Sequence, residues 1–172
     1  MLRVCIRLFR EGEEEVWEAT EPDWERIKAW FEVRLRLACE NPDLYRLGFG
    51  SPVPGLVPSE ESREESRELL AATTRGLTEV VEAGVIDPGM PSKRMVDILL
   101  AVRHGILSEH LGKQNFLPPD SDRFSGLIPD VIAAFRTAWR PKGPPFGASS
   151  AGVADAPQPR ADGRDKRGGD FS

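Results

Sequence analysis

From Leu2 to Trp139 apolar side chains recur at three- and four-residue steps, and strand-like alternation never persists. That spacing puts them on one face of a helix. Leu2, Cys5, Ile6 and Phe9, followed by Val16 and Trp17, predict a first helix over Met1 to Ala19. Trp24, Ile27, Phe31, Leu35 and Ala38 form the stripe of a second, between Thr20 and Glu40. Thr20, Pro22 and Asp23 supply its expected start, because a cap oxygen, an early proline and a first-turn carboxylate each suit the unpaired N–H groups there. Asn41-Pro42 ends that helix and opens a short one through Leu47, since a residue before proline disfavours helical backbone. Gly48 to Pro58 (GFGSPVPGLVP) carries too much glycine and proline to continue it and reads as a loop.

Ser59 is the expected cap of a long helix from Glu60 to about Ala83, with Leu69, Leu70, Thr73, Leu77, Val80 and Val81 as its buried stripe and Gly84 after its end. Asp87-Pro88-Gly89 marks a turn and Ser92 a further cap. Beyond it Met95, Val96, Leu99, Leu100, Val102, Ile106 and Leu107 are apolar over so wide an arc that this helix is expected to be covered on more than one side. A last helix carries Phe124, Leu127, Ile128, Val131, Ile132, Phe135 and Trp139. Pro129 there requires a start near Ser125 or a kink, because proline is tolerated only in a first turn. The pattern therefore predicts an all-α fold, an antiparallel bundle of about six helices over residues 1–140. Residues 141–172 are rich in Pro, Gly, Ala and Ser with few large apolar side chains, so a disordered tail is expected.

Composition narrows the function classes. A chain of 172 residues, 40% hydrophobic and 30% charged, is sized for one globular core. No apolar run approaches the ~18–20 residues that span a bilayer. With no secretory signal either, the cytoplasm is the default compartment. A net charge of -5 argues against a nucleic-acid footprint, which needs clustered Lys and Arg. The cysteines, Cys5 and Cys39, have no metal-like spacing and are expected to be buried thiols. His104 and His110, six apart on one helix, point in different directions and do not suggest a metal pair. No nucleophile with a recognisable activating partner is present, so neither an enzyme nor a cofactor is expected. The acidic run Glu13 to Glu15 and the charged turns from Glu60 to Glu68 read as solvated helix faces, and Tyr45 as a packed ring with its hydroxyl bonded.

Two stretches add to this. Glu40 to Pro54 (ENPDLYRLGFGSPVP) and Ile98 to Leu107 (ILLAVRHGIL) resemble the C-terminal domain of TetR-type transcriptional regulators, in particular the subgroup with a Trp-His-Gly motif. Asn41, Pro42, Leu44, Tyr45, Arg46, Leu47, Phe49 and Gly50 match that subgroup's first motif. The second retains His104 and Gly105 and has Leu100 where the subgroup usually places Trp. The resemblance implies a domain that binds a small hydrophobic effector and forms a homodimer. Its pocket candidates are Trp30, Arg34, Leu37 and Phe49, with Leu70, Leu77, Arg103 and His104; a buried Arg34 or Arg103 would favour an anionic or polar effector. Surface salt bridges are the other reading of the arginines, and a satisfied polar group in a packed helix is that of His104.

The same resemblance places the dimer interface on the last two long helices, Lys93 to Leu111 and Ser125 to Trp139. Ile98, Val102 and Ile106 are its candidates on the first, and Ile128, Val131, Ile132 and Phe135 on the second. Such regulators also carry a DNA-binding head of ~50 residues. Few residues precede Trp24, so the head is expected to be absent or lost to a misplaced start. Alternatives are an interaction protein that forms mixed dimers with a full-length regulator, and a small helical ligand carrier.

Overall fold

A computed structural model describes residues 1–50, 54–87, 89, 92–113 and 123–141. Among these residues there is no strand, and the order is α1 (Leu2–Ala19), α2 (Trp24–Glu40), α3 (Pro42–Phe49), α4 (Glu60–Glu82), α5 (Ser92–Lys113) and α6 (Leu127–Ala138). The expected tail lies, apart from Pro141, outside the described residues, as do Ser51, Pro52, Val53 and Pro88 of the expected loop and turn.

Local chemistry explains the boundaries. Asp23, and not Thr20, starts α2: its carboxylate accepts the Arg26 N–H at 2.9 Å. Thr20 instead closes α1 by donating its hydroxyl to the freed Val16 carbonyl at 2.6 Å. Asn41 ends α2 in the same way, its amide donating to the Leu37 carbonyl at 3.1 Å. Ser59 caps α4 by accepting the Ser62 N–H at 3.3 Å. Gly84 follows α4 with φ +72, the left-handed conformation in which glycine has no steric penalty. Pro129 is the third residue of α6, within the first turn, where its missing N–H leaves no carbonyl unpaired.

Helix α3 runs past the expected Leu47 to take in Gly48 and Phe49. Gly48 is there for packing and not for a turn: a Cβ on it would lie 2.6 Å from the Cys5 sulfur of α1. Helix α1 packs against α2, α3 and α4, α6 lies on α2, and α5 meets both α2 and α4. Trp30, Phe9, Phe31, Ile27, Leu77, Met95, Leu99 and Leu107 lose all solvent contact in the shared core.

Several expectations are corrected. Cys5 is buried but Cys39 is exposed, because it falls one position past the buried edge of α2 at Ala38. Leu70 is 51% exposed and lies beside the buried stripe of α4 rather than on it. Ile106, Ile128 and Ile132, expected to await a second subunit, are buried in this one. For α6 the cover is α2, which absorbs part of the apolar arc. Ile98, Val102, Val131 and Phe135 remain half-buried.

The largest departure concerns charge. Glu13 is 1% exposed and Glu65 6%, within segments expected to be solvated. Glu13 falls four residues after Phe9 and four before Trp17, on the buried line of α1. Glu65 takes Arg3, Arg7 and Arg10 of α1, with a shortest contact of 2.7 Å to Arg7.

Candidate functional site

Four helices line a half-open cavity of about 310 Å³. Arg34 faces it from α2, and Tyr45, Gly48 and Phe49 from α3. Helix α4 contributes Ser66, Leu69, Leu70 and Thr73, and α5 contributes Leu100, Arg103 and His104. Sequence spacing explains the grouping, since residues three and four apart share a helix face: Ser66, Leu69, Leu70 and Thr73 on one helix, Leu100, Arg103 and His104 on another. The lining is mostly apolar with a few converging polar groups, and the volume lies at the low end of the ~300–1,000 Å³ usual for small-molecule sites.

Behind this wall Glu13 of α1 is the centre of a buried polar cluster. Its Oε1 accepts from Arg34 Nε at 2.5 Å and Arg103 Nη1 at 2.7 Å. Its Oε2 accepts from the Trp30 indole N–H at 2.7 Å and from the Thr73 hydroxyl at 3.3 Å. Aromatic faces hold the guanidiniums in place. Arg103 lies 3.7 Å from the centroid of the Trp30 ring, and Arg34 lies 4.4 Å from that of Phe49 and 4.8 Å from that of Phe9.

Electrostatics follows from this geometry. Burial pushes the Glu13 carboxyl up, but Arg103 and Arg34 outweigh it and hold it below its ordinary value. Burial pulls the Arg103 guanidinium down to about 9; Glu13 opposes this and the like charge of Arg34 adds to it. A guanidinium carries a fixed positive charge in proteins, so two positive charges face one negative.

The rim is neutral. The Tyr45 hydroxyl lies 3.0 Å from His104 Nδ1, and His104 Nε2 lies 3.2 Å from the Ser108 hydroxyl. Lost hydration, followed by the charges of Arg103 and Arg34, lowers the His104 pKa, which keeps the ring neutral at pH 7. Burial raises that of Tyr45, which stays a phenol.

Of the expected pocket residues, Arg34, Phe49, Leu70, Arg103 and His104 line the cavity. Trp30 stands behind it, under Arg103, while Leu37 and Leu77 are core side chains away from the lining. Sequence reasoning missed Glu13, whose register between Phe9 and Trp17 was the available signal. It also missed Ser66, Leu69, Thr73 and Leu100 as lining residues.

A helical bundle with such a cavity between its helices belongs to the class of domains that can take up small molecules. A family model described as "Tetracyclin repressor-like, C-terminal domain" matches residues 27–139, and the chain belongs to that family. Its members' domains are typically ligand-binding and dimerising parts of TetR regulators and are generally regulatory rather than enzymatic. No curated protein and no solved structure matches the chain. Among the described residues, no helix is long and apolar enough to cross a membrane.

Proposed function

We propose that this chain is the effector-binding and dimerisation part of a TetR-type transcriptional regulator, and that its effector occupies the cavity between α2, α3, α4 and α5. The observation that carries this reading is the half-open, mostly apolar cavity with buried arginines at one wall, in a chain of this family. The subgroup resemblance has structural support as well. The two stretches that carry it meet at the Tyr45–His104 contact, and Leu100, in the place of the subgroup's Trp, lines the cavity. Helix α1 is suited to pass the signal on, because its Glu13 is tied to the two arginines of the effector wall.

Thermal unfolding with a panel of small apolar compounds tests the cavity, with Ser66→Trp as the blocked control. Ser66 lines the cavity yet is exposed, so an indole can fill the space without disturbing the core. A compound present at ~100 times its Kd stabilises by about 2.7 kcal/mol, a rise in Tm of roughly 5–10 °C. Such a rise is expected for at least one compound in the wild type and for none in Ser66→Trp. No response to any compound, or equal responses in both proteins, would count against the reading.

A further inference from the structure

We propose that the molecule taken by this cavity is a monoanion: a small apolar body ending in a carboxylate that sits on Arg103 and Arg34. This rests on the cavity being the effector site and adds the chemical class of the effector. Charge balance carries it. Arg34 is 3% exposed and Arg103 4%, while among the described residues Glu13 is the one carboxylate bound to them. No Asp or Glu lines the cavity. The nearby buried carboxylate of α4, Glu65, is engaged by Arg3, Arg7 and Arg10, so it has no charge to spare. The cavity wall therefore sets two guanidiniums against one carboxylate, a surplus positive charge that an anion balances.

The bonding capacity is also there. Glu13 takes Arg103 through Nη1, and among the described residues Nε and Nη2 of Arg103 have no hydrogen-bond partner. A guanidinium edge of this kind suits the two oxygens of a carboxylate. One surplus charge matches a monoanion, whereas a dianionic phosphate ester would overshoot it. Beyond the arginines, Leu69, Leu70, Leu100 and Phe49 leave room for an apolar body. A ligand held there shares its arginines with Glu13, so its binding is felt directly by α1.

Matched probes test this by calorimetry on the full chain: octanoate, 1-octanol and octylamine, and 2-naphthoate with its alcohol and aminomethyl counterparts. Each carboxylate is expected to bind at least about tenfold more tightly than the alcohol of the same body, with the amine weakest. In Arg103→Met the carboxylate is expected to lose at least about tenfold more affinity than the alcohol of the same body. Glu13 keeps Arg34 as a balanced pair in that variant, so folding is retained. Arg103→Lys, which keeps the charge, is expected to preserve most of the preference for the acid. Alcohols or amines binding the wild type as well as the acids would overturn the anion and leave the cavity as an effector site. No binding by any of the probes at millimolar concentration would overturn both.

Discussion

Glu13→Gln is expected to destabilise the fold by about 3–5 kcal/mol, because removing one partner of a buried ion cluster leaves the others uncompensated. For a domain of this size that is a fall in Tm of roughly 10 °C or more. Glutamine has nearly the same shape and can still accept from Trp30 and Thr73, so packing does not account for a loss of this size. Two guanidiniums in the core, Arg34 and Arg103, would face no negative charge. Adding Arg103→Met to Glu13→Gln should recover part of the loss, giving a coupling energy in a double-mutant cycle. The substitution also has a pH signature. The folded pKa of Glu13 lies below its ordinary value, so its stabilisation is complete above the ordinary carboxylate range and is lost as pH falls through the folded value. Below the folded value the two proteins should converge, and the gap between their unfolding curves across acid pH measures this one group.

The second large effect concerns association. With Ile106, Ile128 and Ile132 used inside the subunit, a partner would have to be met by what α5 and α6 leave outside. That surface includes Ile98, Ala101, Val102 and Gly105 on α5, and Leu127, Val131 and Ala134 on α6. A Cβ at Gly105 would meet nothing within 4 Å, and Ala134 is exposed. Gly105→Glu and Ala134→Glu should therefore leave the monomer fold intact. If this face forms the four-helix interface, each would bury an unpaired charge there and weaken the dimer by ~100-fold or more, about 2.7 kcal/mol. Sedimentation over a concentration series reads the shift from dimer to monomer. Unchanged association in both variants would remove this face as the interface.

The helices were legible because apolar spacing reports which side of a helix leaves water, and their observed ends fall close to the expected ones. What covers that side is a different matter. Ile128 and Ile132 have the same period whether their cover is α2 or a second subunit, so spacing could not separate the two. Glu13 shows the same limit from the polar side. Its register matches Phe9 and Trp17, but a carboxylate is normally expelled from such a position. It is kept there by Arg34 and Arg103, 21 and 90 residues further along the chain. Arg34 and Arg103 could be named as pocket candidates from the family resemblance, whereas their shared counter-ion required the packing of α1. Leu37 and Leu77 went astray for a related reason: they lie on the correct helices but on faces turned into the core.

The wall of the proposed effector cavity carries its own reporter. The indole N–H of Trp30 donates to Glu13 and its ring lies under Arg103, so its proton resonance reports on the cluster. Trp24 and Trp139 are core residues outside the lining. Titrating 2-naphthoate into the full chain, with the Trp30 signal assigned through Trp30→Phe, is expected to shift that resonance in a saturable way and to leave those of Trp24 and Trp139 in place. An unmoved Trp30 signal at saturating probe, or equal shifts at all three residues, would contradict the claim that this cavity and its two arginines are the effector site.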